Sequence, residues 1–119
     1  MRKLIVTFEA FDVVVVPFPF TDKTTTKRRP ALVLSASRTF NKHVAHSVLA
    51  MITSASNSDW PLDTEIEDIE VAGLPFASIV RMKIFTLDDQ LVIRKAGTLS
   101  KKDQPAVTQA LRTLLPLAR

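Results

Sequence analysis

Apolar positions fall in short, closely spaced runs along most of the chain and switch to helical spacing only near its end. Val13–Val16 is β-branched throughout, and such a run suits a strand covered on both faces. Pro17 and Pro19 then end regular pairing or confine it to an edge. Thr21 to Lys27 is a polar loop with three consecutive threonines. Ala31–Ser35 predicts a second strand, Ser37 to Lys42 one helical turn, and Ser47–Thr53 a third, buried strand. Ser54 to Pro61 is a loop, Thr64–Glu67 a surface strand, and Ala72-Gly73-Leu74-Pro75 a turn. Ser78–Met82, Lys83–Asp88 and Leu91–Arg94 complete the β portion, with a turn at Asp88-Asp89.

The period changes after Ser100, which is placed as an N-cap with Asp103 three residues on, an acid that suits the dipole of a first turn. Val107, Ala110, Leu111, Leu114 and Leu115 then share one helix face, and Pro116 stops the helix. Short strands plus one terminal helix predict a mainly β fold, a small and strongly bent barrel with the helix packed on the sheet. Strand counting does not separate SH3-like from OB-like barrels. At 119 residues the chain is expected to form one domain, 1–119, around one modest core.

Composition narrows the setting. There is no cysteine, which excludes a disulfide scaffold and a cysteine-ligated zinc and fits a reducing cytoplasm. No apolar run approaches the ~20 residues that span a bilayer. The N-terminal run Leu4–Val6 is too short for the core of a signal peptide. A cytoplasmic protein is expected. The net charge is +4, and all of the excess lies in residues 1–60, with eight basic and four acidic side chains against eight of each in 61–119. That asymmetry favours a polyanionic partner for the first half.

The cations of that half are concentrated in Lys27-Arg28-Arg29-Pro30, directly before an aliphatic strand. Arginine offers a planar fork of donors that stays charged at any relevant pH, so a pair at the root of a strand can hold a phosphate. A solvated surface pair is the ordinary alternative. Thr53 and Ser54 close the third strand with hydroxyls that can donate to a phosphate oxygen but are too weakly basic to act unaided. Arg81 and Lys83 alternate with Val80 and Met82 and so share one strand face. Trp60, in a polar loop, is the best stacking candidate, while burial is expected for most of Phe18, Phe20, Phe76 and Phe85. His43 and His46 are read as loop histidines, with no metal site and no cofactor expected. Asp12 is expected to tie down backbone or pair with an arginine. The acidic stretch 63–70 would repel RNA and is expected away from any binding groove.

Asp12 to Ser35, Ala50-Met51-Ile52-Thr53-Ser54, Ala72-Gly73-Leu74-Pro75 with Ser78 to Arg81, and the closing helix together resemble the MazF/PemK family of toxin ribonucleases. The resemblance covers roughly residues 11–115. It implies an SH3-like barrel, a homodimer, metal-independent cleavage of single-stranded RNA by its own 2′-hydroxyl, and inhibition by a cognate antitoxin protein. It also implies site roles. Arg29, Thr53 and Arg81 would be catalytic, and Lys27, Arg28, Ser54, Trp60 and Lys83 would bind RNA. Two departures stand out. Phe11 replaces the glycine usual before the aspartate, so either the start of that strand differs or the glycine is dispensable, because phenylalanine does not readily take a glycine φ. Lys83 stands where some PemK-type relatives carry a catalytic aspartate, so the general base is left open. Two other readings remain: a gyrase-poisoning toxin of the same fold, disfavoured because the chain ends Leu115 to Arg119 without a Trp-Gly-Ile tail, and a non-catalytic nucleic-acid-binding barrel.

Overall fold

The computed structural model describes residues 6–18, 27–57 and 59–117. The threonine-rich loop, Phe20 and the N-terminal apolar run lie outside these residues.

Six strands follow one another as β1 (Asp12–Pro17), β2 (Arg28–Val33), β3 (His46–Ser54), β4 (Thr64–Ile66), β5 (Ser78–Asp88) and β6 (Arg94–Thr98). They pair antiparallel in the order β4-β5-β3-β2-β1-β6 and curl into a half-barrel. A π-helical turn, Ser37–Asn41, runs into the short α1 (Lys42–Val44), and α2 (Gln104–Leu114) closes the chain. The mainly β fold with a C-terminal helix is therefore as expected.

Alternation along the strands sorts apolar side chains onto two faces. One face carries Val13, Leu32, Ala50, Ile52 and Val80 and packs under Val107 and Ala110 of α2. The other carries Val14, Val16, Ala31, Val33 and Leu49, packed with Phe8 and Leu87. Val13, Val14 and Val16 have no exposed surface, so the β-branched run of β1 is buried on both faces.

Several boundaries depart from the sequence pattern. Arg28 and Arg29 lie inside β2, paired with Pro17 and Val16, rather than before it. The stretches 78–82 and 83–88 form one strand, β5. It carries a bulge where the register steps from Ala50↔Ile84 to Met51↔Arg81, so Met82 and Lys83 face no residue of β3. The last strand is β6 at Arg94–Thr98, because a 3-10 turn over Asp89–Leu91, capped by the Asp88 side chain, takes up the residues that suggested an earlier start.

The terminal helix begins at Gln104, with a turn between it and Ser100. Asp103 does pair with Ser100, whose hydroxyl donates to its carboxylate at 3.1 Å, but the same carboxylate also accepts the backbone N–H of Glu67 and of Asp68, each at 3.0 Å, and pins β4's far end to the helix start.

Two backbone positions fix the loops around the sheet's end. Phe11 takes φ 74, so a phenylalanine adopts a conformation that favours glycine, and the second of the two expectations, a dispensable glycine, fits. Its N–H donates to Val33 O at 2.7 Å, its carbonyl accepts from Leu99 N–H at 2.9 Å, and its ring packs on the helix-side core. These contacts offset a left-handed cost of roughly 1–2 kcal/mol. At Gly73, φ is also 73, and a Cβ there would lie 2.2 Å from Ala96 O. Only glycine lets the 71–76 segment lie this close to β6.

Candidate functional site

The site starts from Pro30. Residues 32 and 34 of the β2 segment direct their backbone groups to β3, as the Leu34 N–H to Val48 O bond of 2.8 Å shows, so position 30 points the same way. Proline has no N–H to give. The β2–β3 register accordingly runs over Ala31–Val33 and stops there. Beyond it lie two hollows, both lined by Arg29, Ile52 and Thr53.

The smaller hollow, about 180 Å³, is lined by Phe18, Arg29, Met51, Ile52, Thr53, Arg81 and Lys83. Arg29, Thr53 and Arg81 are thus brought together by strand register: Arg29 shares a face with Ala31, Thr53 with Met51, and Arg81 pairs with Met51. The larger cleft, about 420 Å³, is lined by Val15, Arg28, Pro30, Ser54, Asn57 and Arg94 among others, with the 73–76 segment as its wall. Its size is that of a small-ligand cleft. Phe76 on its rim is 56% exposed and Phe18 and Phe85 are half-buried, so the burial expected for most of these rings is only partial among the described residues.

Each cation is held differently. The Arg29 guanidinium lies over the Phe18 ring, 5.3 Å from its centroid, and its buried Nε–H has no hydrogen-bond partner among the described residues. A buried donor without a partner costs about 1–3 kcal/mol, which a bound acceptor would recover. Arg81 is clamped. Nε donates to Asp63 Oδ1 at 3.2 Å, Nη2 to Asp63 Oδ2 at 2.9 Å, and Nη2 also to Asn57 O. The hydrogen bond to Asp63 raises the Arg81 pKa above its ordinary value. Desolvation opposes this, and the charges of Asp63 and Asp59 add to it. Lys83 Nζ sits 4.8 Å above the Trp60 ring, with the Arg81 guanidinium 5.7 Å from the same ring. Lys27 and Arg28 are exposed, Arg28 at the rim of the larger cleft.

Thr53 Oγ1 accepts from Asn57 Nδ2 at 3.3 Å, a long bond that leaves the hydroxyl hydrogen available. Ser54 Oγ pairs with Ser56 Oγ at 2.9 Å. Asp12 does tie down backbone, accepting from Glu9 N–H at 2.9 Å, but its cation is Lys95 at 3.1 Å rather than an arginine. His43 and His46 bond nearby carbonyls, those of Arg38 and Val44, and line neither hollow. Among the described residues no group of three or more His, Cys, Asp or Glu is placed to hold a metal ion.

Three residues escaped the sequence reading. Asp63 belongs to the acidic stretch expected away from the groove, yet it binds Arg81; the rest of that stretch includes the exposed Glu65, Glu67 and Glu70. Asn57 and Arg94 carry no signal in the sequence: Asn57 meets Arg81 through its backbone carbonyl and Thr53 through its amide, and Arg94 opens the last strand rather than ending it.

A half-barrel whose strand ends gather two arginines, a lysine and a threonine around one hollow defines a small β protein with a cation-lined hollow. The family model of PemK-like, MazF-like toxins of type II toxin–antitoxin systems matches residues 9–115, and the chain belongs to that family. Solved structures agree in fold. MazF (Form-I) from Deinococcus radiodurans is 22% identical, with 93% of this chain and 98% of that one covered at a TM-score of 0.71. An endoribonuclease from a Mycobacterial species is 18% identical over 98% and 99% of the two chains, at 0.73. A MazE-MazF complex (Form-II) from Deinococcus radiodurans matches at 20% identity over 92% and 96%, at 0.72. A comparison with curated proteins finds no match. Among the described residues no helix is long and apolar enough to cross a membrane.

Proposed function

We propose that this toxin-family chain is an endoribonuclease that cuts single-stranded RNA, mRNA among it, without a metal. The observation that carries the reading is the convergence of Arg29, Thr53 and Arg81 on one 180 Å³ hollow, with the buried Arg29 Nε–H unpartnered among the described residues. A scissile phosphate there meets two fixed cations and a hydroxyl donor.

The RNA's 2′-oxygen attacks the adjacent phosphorus while the bond to the 5′-oxygen breaks. The products are a 2′,3′-cyclic phosphate and a 5′-hydroxyl. Arg29 and Arg81 stabilise the charge that builds on the phosphoryl oxygens. Preorganised donors of this kind are worth roughly 10²–10³ in rate each. Thr53 donates to a phosphoryl oxygen and orients the group.

Neighbouring residues hold the strand. Trp60, 42% exposed and backed by Lys83, offers a stacking face, and Arg28, Ser54 and Lys27 meet phosphates or sugars along the larger cleft. The chain works as a homodimer in the cytoplasm, and a cognate antitoxin covers this cationic surface. The MazE-MazF complexes of similar fold support the antitoxin partner.

The deciding experiment is incubation of the purified protein with a long RNA in EDTA. Discrete cuts ending in 2′,3′-cyclic phosphate are expected. No cutting, or cutting restored only by a divalent ion, contradicts the reading.

A further inference from the structure

Arg81 has five N–H donors, and the geometry accounts for three of them. Nε–H goes to Asp63 Oδ1, and the two hydrogens of Nη2 go to Asp63 Oδ2 and Asn57 O. Only Nη1 has no hydrogen bond among the described residues. The guanidinium is planar, so fixing Nε and Nη2 fixes the direction of Nη1 as well. Asp63 does not line the 180 Å³ hollow that Arg81 lines, so it acts from behind the arginine. The pair is well shielded, with 13% and 9% of the two side chains exposed, and a shielded bidentate pair holds its geometry far better than a surface one.

We propose that Asp63 is the positioning residue of the site. It turns Arg81 so that the Nη1 edge alone meets the phosphate. The inference rests on the reading of the hollow as an RNA-cleaving site. A carboxylate three residues past Trp60 and eighteen before Arg81 thereby sets Arg81's orientation. Lys83 lies over the Trp60 ring and takes no part in holding Arg81. Fixing the cation before the charge develops is what makes it effective in a transition state.

The test is a double-mutant cycle on RNA cleavage with Asp63→Ala, Arg81→Ala and the pair. Asp63→Ala is expected to lower kcat by about 10-fold or more with KM not raised, because a free Arg81 still attracts the strand but no longer presents Nη1 in one direction. In the Arg81→Ala background, Asp63→Ala should cause no further loss. Asp63→Glu should restore part of kcat. An unchanged kcat in Asp63→Ala, or equal losses from Asp63→Ala in both backgrounds, overturns the proposal. A second readout is independent of activity. Side-chain NMR of Arg81 should show separate Nη1 and Nη2 nitrogen signals in the wild type, because the bidentate pair halts rotation about Nε–Cζ. They should collapse to averaged signals in Asp63→Ala. Averaged signals in the wild type would also overturn the proposal. If the wild type cuts no RNA, the enzymatic reading fails, while the NMR result still decides whether Asp63 orients Arg81.

Discussion

On the helix side of the sheet, Val13, Leu32, Ala50, Ile52 and Val80 are apolar and buried, and the face opens at the Arg28 and Ser54 end, into the larger cleft. On the opposite side, Val14, Ala31 and Leu49 occupy the middle, and Arg29, Thr53, Arg81 and Lys83 take over at the end. The same strands serve both faces. The difference arises where Pro30 ends the β2–β3 ladder and where the bulge at Met82 and Lys83 loosens β5 from β3. A closed ladder gives a dry core, and an interrupted one gives a hollow into which cations can point. Rigidity therefore comes mainly from the helix-side core, and the proposed chemistry sits at the broken end of the other face.

The comparison breaks most readily at Leu32, which has no exposed surface under α2. Leu32→Ala should cost about 2–5 kcal/mol in denaturant unfolding, as a buried leucine truncation does, while whatever protein remains folded keeps its cleavage rate. A loss under 1 kcal/mol would mean that the helix-side core is not the stabilising face.

Arg29 tests the other face. Arg29→Ala should leave the unfolding midpoint nearly unchanged and lower RNA cleavage by roughly 10²-fold or more. Thr53→Ala should fall between Arg29→Ala and wild type. Cleavage at the wild-type rate by a folded Arg29→Ala variant, checked by circular dichroism, would remove the chemistry from this hollow.

A third test uses pH. Burial alone would raise the Asp103 carboxyl. The backbone N–H groups of Asp68 and Glu67, the Ser100 hydroxyl and Lys102 outweigh it and hold the pKa below its ordinary 3.8. The ionised form is thus favoured by folding, so its stabilisation is full above pH 3.8 and is lost as pH falls through the lowered value. Asp103→Ala should cost about 1–3 kcal/mol at pH 7, and the gap from wild type should close in acid. A gap independent of pH would refute the assignment. Asp89 runs the opposite way. Burial raises its pKa against the Ser47 hydrogen bond, so its contribution is present below 3.8 and is lost as pH rises through the raised value.

The smallest effect is expected at Arg28, exposed on the cleft rim. Arg28→Ala should weaken RNA binding a few-fold and lower the salt dependence by about one phosphate contact, with little change in kcat. A large loss of kcat would move Arg28 into the reacting centre.

Alternation and local signals were enough to read most of the strands, the terminal helix and its apolar face, because period and punctuation are properties of neighbouring residues. The helix start was misplaced since Asp103 bonds the backbone at Glu67 and Asp68, a partner 36 residues away for Glu67. Phe11 stays open in the sequence for a similar reason: its φ of 74 is tolerated only because Val33, Leu99 and the core hold it.

The sequence by itself determined the family, through the Arg-Pro corner at Arg29 and the Thr53-Ser54 strand end, and it named Arg29, Thr53 and Arg81 as residues to watch. It could not determine how they are held. That Asp63 leaves an acidic, largely exposed stretch to clamp Arg81, that Asn57 contributes a carbonyl, and that Arg94 joins the cleft wall were decided by the tertiary structure alone. A side chain's type is local, but the direction in which a guanidinium points depends on acceptors that arrive from distant strands and loops.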